Sequence, residues 1–314
     1  MPDLRESNQS SSRRVLAVLC SDIHLSAKAP VFRSAEEDWF EAQARPLRQL
    51  KRIAINHNAP ILCAGDVFHK WKSIPQLINF AIDEMPKMWS IPGQHDLPYH
   101  DVAQIKKSAF WTLCQSNTLS YLGYTKEKYV IGGLTVYPFP WGKEITPCQE
   151  PPHTFEHRIA LIHSYIWMKG CSHPKADSAQ RVKAYRKKLE GYDVAAFGDN
   201  HLGFLNGNIL NCGGFIRRNS DQIDYKPTIG LYWDDGTIER VELDTSEDKH
   251  LSHSVAIQIA ETLSEVGEFV AEINKFNSRG YDYKEVVIQF MDKEGVSKEI
   301  REIILDILEE DNES

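Results

Sequence analysis

Five short blocks of oxygen and nitrogen donors constrain this chain more than any other feature. They are Asp22-Ile23-His24, Gly65-Asp66-Val67-Phe68-His69, Gly93-Gln94-His95-Asp96, the single His163, and Gly198-Asp199-Asn200-His201. Four of them follow apolar runs that read as strands: Val15–Cys20, Ile61–Ala64, Ile159–Ile162 and Val194–Phe197. The remaining block follows Met88–Pro92, a weaker strand pattern. Taken singly, His163 or His24 reads as a surface histidine and Asp199-Asn200 as a turn. Taken together, they place carboxylates, imidazoles and a carboxamide at the ends of neighbouring strands, the donor set a two-metal hydrolytic site requires.

Between the blocks the patterns alternate. Glu36–Asn58 has helical spacing at Trp39, Phe40, Leu47, Leu50, Ile53 and Ala54, with Pro46 expected to kink or divide it. Ser73-Ile74-Pro75 reads as the start of a helix running to about Glu84. Gly132-Gly133 separates Tyr129–Ile131 from Leu134–Val136 as a hairpin, and Asp234-Asp235-Gly236 does the same near the end of the core. A helix is expected over about Ser178–Leu189, and further strands over Asn208–Asn211, Thr228–Trp233 and Thr237–Leu243. Asp22 and His24, like Asp199 and His201, stand two residues apart, so an extended backbone would aim both members of each pair the same way.

This order of blocks resembles the calcineurin-like metallophosphoesterase superfamily over roughly Val15 to Leu243, most of the chain. The resemblance implies an α/β fold in four layers, two mixed β-sheets packed face to face with helices outside. Within the superfamily, many phosphatases carry an Asp three residues after the second-block Asp. Here His69 stands there, after Phe68 and before Pro75, a pattern that resembles the SbcD-type DNA-repair nucleases, which act with an SMC-like ATPase. Two positions depart from the family pattern: Gln94 replaces its Asn, and Asp199 replaces the first His of its last block. The harder ligand set favours Mn²⁺ or Mg²⁺ over Zn²⁺.

By resemblance, Asp66 bridges two divalent ions, Mn²⁺ foremost. Asp22, His24 and His201 complete the first site, and Gln94, His163 and Asp199 the second. His95 would protonate the leaving oxygen, Asp96 would orient the His95 ring, and His69 would fix the phosphate. The implied activity is hydrolysis of DNA phosphodiesters by a metal-activated water, in repair, recombination or replication. A phosphatase or phosphodiesterase on a small-molecule or protein substrate is the enzymatic alternative. A DNA-end-binding or scaffold subunit with weakened catalysis is the non-enzymatic one, motivated by Gln94 and Asp199.

Charge bears on the partner. The net charge of −8 runs against a general DNA-binding face, but Lys169–Lys188 is locally basic. Lys183, Arg186, Lys187, Arg217 and Arg218 are the candidate DNA contacts, and Trp71 and Trp141, in loops near the blocks, the candidate base-stacking residues. The six cysteines are scattered with no C-x-x-C, and no apolar run reaches the roughly 18–20 residues of a membrane span, so a reducing cytoplasm is the expected location. Residues 1–14 read as a polar tail without a secretory signal, 15–243 as the catalytic domain and 250–314 as a helical segment. Apolar stripes in that segment, ending in Ile300, Ile303, Ile304 and Ile307, would cover the sandwich, dock a partner or form a homodimer. No G-x-x-x-x-G-K-[ST] loop occurs, so any ATP dependence would come from another protein such as the ATPase.

Overall fold

The computed structural model describes residues 13–151, 157–173 and 175–252, together with isolated residues between 254 and 301. Of the sequence-derived tail at 1–14, residues 1–12 lie outside the described residues, as does the apolar stripe at Ile300, Ile303, Ile304 and Ile307.

Two mixed sheets of six strands each form the fold. The first contains β1 (Val15–Cys20), β2 (Ile61–Cys63), β3 (Met88–Ser90), β4 (Leu119–Tyr121), β11 (Thr228–Trp233) and β12 (Ile238–Glu242), in the order β12-β11-β1-β2-β3-β4. The second contains β5 (Tyr129–Ile131), β6 (Leu134–Phe139), β7 (His157–His163), β8 (Val194–Gly198), β9 (Phe204–Asn206) and β10 (Ile209–Asn211), in the order β5-β6-β7-β8-β10-β9. Strands β1 to β4 run parallel to one another, as do β6, β7, β8 and β10, while β11 joins β1 and β5 joins β6 antiparallel. The metal-type blocks therefore emerge at the carboxyl ends of parallel strands, where α/β sheets place ligands.

The two faces of each strand separate cleanly. Along β7, Ile159 and Leu161 join Leu19, Leu62, Val136 and Leu210 in a core that draws on both sheets. Ala160 and Ile162 point the other way and pack with Phe197, Val182, Tyr185 and Leu189 under the outer layer. Alternate side chains of a strand bury on opposite faces, and because both faces are covered the strands read as continuous apolar runs.

Helix α1 (Trp39–His57) is capped by the Asp38 carboxylate, which accepts from the Glu41 N–H, and is closed by Asn58 in the left-handed region. Pro46 lies within this helix and does not divide it, which removes one of the two outcomes expected from sequence. The buried stripe Trp39, Ala42, Leu47, Leu50 and Ala54 holds both halves to one surface, offsetting the roughly 3 kcal/mol an internal proline costs. Helix α2 (Pro75–Glu84) begins on its proline. Helix α3 (Ala109–Gln115) is capped by the Ser108 hydroxyl. The helix expected over 178–189 breaks into 3-10 turns around a short α4 (Val182–Tyr185). Its apolar anchors Val182, Tyr185 and Leu189 are buried, while Lys183, Arg186, Lys187 and Lys188 face solvent. Strand β9 was not apparent from sequence and pairs antiparallel with β10 across Gly207-Asn208, with Gly207 at φ +63°.

The chain divides into two compact units. One comprises Met1–Lys28, Asp38–Arg217 and Tyr225–Glu247, and the other Ala29–Glu37, Arg218–Asp224 and Asp248–Ser314. Both sheets and every metal-type block belong to the first. In the second, the fully buried Arg33 pairs with Asp248 at 2.9 Å, and Phe32 stacks on His250. Among the described residues, no helix is long and apolar enough to cross a membrane.

Candidate metal centre

The loops after β1 and β2 are laced together beyond the strands. The Asp22 N–H donates to the Gly65 carbonyl at 2.9 Å, His24 N–H to Asp66 O at 3.0 Å, and Leu25 N–H to Val67 O at 2.9 Å. Asp22, His24 and Asp66 adopt φ of 52°, 50° and 54°, and Asp199 adopts 87°. These are left-handed conformations that non-glycine residues rarely take, and such strain concentrates where function demands a geometry. The extended alternation expected for Asp22/His24 and Asp199/His201 is thus corrected: left-handed turns, and not strand pleating, aim these side chains inward.

Ligand atoms of Asp22, His24 and His201 lie within 4.8 Å of one another, as do those of Asp22, Asp66 and His163, and those of His24, His69 and His95. The Nε2 atoms of His24 and His201 face each other at 3.0 Å. Asp66 Oδ2 lies 3.4 Å from His163 Nε2, 3.7 Å from His24 Nε2 and 4.0 Å from His95 Nε2. It is buried and accepts no hydrogen bond, while Oδ1 accepts from the His95 N–H. A buried carboxylate oxygen left open among imidazole nitrogens fits a divalent cation, since an unsatisfied buried anion is otherwise costly. Asp22 belongs to two of the ligand sets and Asp66 reaches both, so either carboxylate is placed to be shared.

Gln94 and Asp199, the two departures from the family pattern, also reach this centre. The Gln94 amide donates to Asp199 Oδ1 at 2.8 Å, which turns its carbonyl oxygen toward His163 Nε2 at 2.7 Å. His163 Nδ1 faces the Ala64 carbonyl at 2.5 Å. His163 thus has an oxygen beside each ring nitrogen. Burial would lower its pKa, but the charges of Asp66, Asp22 and Asp199 raise it well above the ordinary value. Burial pushes the Asp22 carboxyl up to about 8, helped by Asp66 and Asp199 and opposed by His163 and the Ser21 hydroxyl. Burial also acts upward on Asp66, but the charges of His163, His24 and His95 hold it below the usual carboxylate range. The opposed shifts mark carboxylates and an imidazole crowded in a buried cluster, a setting that suits a dication.

Glycines make the close approach possible. A Cβ on Gly93 would stand 2.0 Å from Asp66 Oδ1, and one on Gly198 2.5 Å from the Ala64 carbonyl. Gly65, at φ +95°, would meet His163 Nδ1 at 2.5 Å.

His95 and Asp96 follow in a 3-10 turn, Gln94–Asp96. The expected contact between Asp96 and the His95 ring is corrected. Asp96 is buried and accepts from the N–H groups of Val67, Phe68 and Gly93 at 3.2, 3.0 and 3.0 Å, which ties the second block to the third. Burial and the Asp66 charge push it up to about 7 against those three donors. The His95 ring is oriented instead by the His69 carbonyl, 2.8 Å from Nδ1. The His69 ring stacks on that of His95, centroids 5.5 Å apart and planes 17° apart.

Of the candidate DNA contacts, Lys183, Arg186 and Lys187 are exposed. Arg217 is not: it is buried and donates to the Thr245 carbonyl at 3.3 Å. Arg218 lies in the second unit, where burial and the Arg33 charge push its guanidinium down to about 10. Arg217 is thus buried and Arg218 half-buried, whereas the other three candidate contacts are exposed. Sequence reasoning missed the supports. Ser21 Oγ donates to Asp22, and Asn200 Nδ2 donates to the Ile166 and Cys171 carbonyls at 2.7 and 3.0 Å. Asn211 Nδ2 donates to the Asn200 and Leu202 carbonyls, bracketing His201. Asn200 sits inside the last block and was legible as something more than a turn; nothing local marks Asn211.

Residues 16–253 match the family described as calcineurin-like phosphoesterase. Among solved structures, the chain is similar to calcineurin-like phosphoesterase YfkN from Bacillus subtilis, at 12% identity and TM-score 0.45 over 82% of this chain and 99% of that one. It is similar to a putative 5′-nucleotidase from Staphylococcus aureus, at 11% identity and TM-score 0.43 over 79% and 58%. It also resembles a metallophosphoesterase from Sphaerobacter thermophilus, at 16% identity and TM-score 0.35 over 74% and 90%. No curated protein matches the sequence.

Proposed function

This chain belongs to the calcineurin-like phosphoesterase family and is a metal-dependent phosphoesterase, and on that premise we propose that it is a nuclease cleaving DNA phosphodiester bonds. Asp22, His24 and His201 would hold one divalent ion and Gln94, His163 and Asp199 a second, with Asp66 shared between them, and Mn²⁺ preferred and Mg²⁺ accepted for their hard oxygens. Bound there, such ions supply Lewis acidity at the phosphoryl oxygens and an attacking water acidic enough to work near neutral pH.

The observation that carries the diesterase reading is His95. Its Nδ1–H donates to the His69 carbonyl, so Nε2 is the nitrogen left to deliver a proton. Nε2 lies 4.0 Å from Asp66 Oδ2, and the side chain is partly exposed. A sugar alkoxide is a poor leaving group and needs that proton. His69 stands where a carboxylate would repel the polyanion, and its ring forms a wall parallel to His95. The exposed Lys183, Arg186 and Lys187 would attract the backbone further out. An SMC-like ATPase as partner, docked through the segment after Asp244, belongs to the same reading.

The test is hydrolysis of single- and double-stranded DNA beside methyl p-nitrophenyl phosphate and p-nitrophenyl phosphate, with Mn²⁺, Mg²⁺ or EDTA. DNA cleavage that requires the metal is expected. Turnover of the monoester with DNA left intact would replace the proposal with a phosphatase, and no turnover of any substrate would favour the scaffold reading.

A further inference from the structure

Two loops beside His69 and His95 carry aromatic rings that the metal chemistry does not use. His69 is followed by Lys70-Trp71-Lys72, and His95-Asp96 by Leu97-Pro98-Tyr99-His100. The Trp71 and Tyr99 rings meet at 5.6 Å, and His100 meets Trp141 at 5.4 Å. Each loop is tied down by hydrogen bonds, two of them through the backbone of the aromatic residue and one through the His100 ring. The Trp71 carbonyl accepts from Ala109 N–H at 2.8 Å, Trp141 N–H donates to the Pro92 carbonyl at 3.2 Å, and His100 Nδ1 faces the Gln94 carbonyl at 3.2 Å.

Tyr99 is the odd member. It adopts φ 54°, ψ 25° and is 74% exposed, the most exposed aromatic ring among the described residues. His100 beside it adopts φ 58°. A bulky residue in the left-handed region is a backbone outlier that the surrounding structure must impose. Burial does not account for it, since the ring remains in solvent. The rigid turn holds an aromatic face outward, a few residues from the proton-donating His95, with Lys70 and Lys72 exposed alongside.

We infer that Trp71, Tyr99, His100 and Trp141 form a stacking platform for an unpaired nucleobase flanking the scissile phosphate. Aromatic faces interleaved with lysines bind single-stranded nucleic acid by stacking while the cations follow the backbone, and stacking is indifferent to which base is present. The platform makes an unstacked strand or frayed end, and not a continuous duplex, the species that enters. It rests on the reading of the site as a phosphodiesterase, and names the nucleobase as the additional recognition element.

The experiment is calorimetric titration of the full chain in EDTA, where no metal-dependent hydrolysis occurs. The titrants are a thymidine hexanucleotide and an abasic hexamer with the same phosphates. Wild type should bind the thymidine strand about 10-fold more tightly than the abasic one, from a single stacked base. Tyr99→Ala should erase that preference, Tyr99→Phe should keep it, and the melting temperature of both variants should be no lower than wild type. Equal binding of the two hexamers, binding of neither, or a preference that survives Tyr99→Ala overturns the platform. Base preference without metal-dependent DNA cleavage would overturn the nuclease reading and leave the platform standing; cleavage without base preference would do the reverse.

Discussion

Replacing Gly93 by alanine tests the centre through a single methyl group. The backbone at Gly93 has φ −93° and ψ −176°, which any residue adopts, so the substitution adds no conformational strain. What it adds is volume. The new Cβ would stand 2.0 Å from Asp66 Oδ1, 2.6 Å from its Cγ and 2.7 Å from its backbone nitrogen. Ordinary contact begins near 3.4 Å, so the carboxylate and the Gly93 loop must separate by about 1 Å. Neither yields easily. Asp66 is fully buried, its Oδ1 accepts from His95 N–H, and Gly93 N–H donates to Asp96. A displacement of about 1 Å in a reacting constellation costs on the order of 10²-fold in rate, or about 2.7 kcal/mol. We expect Gly93→Ala to lower kcat/KM on methyl p-nitrophenyl phosphate by about that factor and to weaken Mn²⁺ binding by about 10-fold or more, as distorted supports of metal sites do. Steady-state kinetics and calorimetric Mn²⁺ titration measure the two effects, and circular dichroism establishes that the variant is folded. A folded Gly93→Ala protein with wild-type Mn²⁺ affinity and turnover would refute the placement of Asp66 at the centre.

Asp66→Asn should remove most metal-dependent hydrolysis, because a neutral amide cannot hold two dications together; wild-type turnover in Mn²⁺ would sink the two-metal assignment. His95→Ala should leave Mn²⁺ binding intact and slow DNA cleavage by about 10²–10⁴-fold, with a much smaller loss on a p-nitrophenyl diester, whose leaving group needs no proton; equal losses on both would exclude His95 as the acid. Asp22, raised to about 8, and His163, raised above its ordinary value, bind protons more tightly folded than unfolded, so the stability they contribute is present at low pH and lost as pH rises toward about 8. In EDTA the melting temperature should therefore fall across that interval, while the gain on adding Mn²⁺ should grow with pH as proton competition at the ligands disappears. Scanning fluorimetry at a series of pH values checks this, and a Mn²⁺ shift independent of pH would contradict it.

The chemistry of this protein is largely a property of its sequence. Apolar runs long enough for strands, each ending in Asp, His or a carboxamide, were legible locally, and the order of those blocks carried the family resemblance that implied two packed sheets, as the structure has them. Both hairpins were legible because their turns are made of glycines or Asp-Gly, which act locally. What the chain does with its backbone at the centre was not legible. The left-handed turns at Asp22, His24 and Asp66 oppose local preference and are matched by hydrogen bonds between the loops after β1 and β2, and the one at Asp199 by its N–H donating to the Asp22 carboxylate, all across long stretches of sequence. The transfer of ring orientation from Asp96 to the His69 carbonyl, the burial of Arg217, and the bracketing of His201 by Asn211 all depend on which backbone groups tertiary packing brings within hydrogen-bonding reach. Pro46 inside an unbroken helix has the same origin, a local rule overruled by a buried face. Residue identity sets which chemistry is available. Contacts between segments distant in sequence set where each atom stands, and no local pattern encodes them.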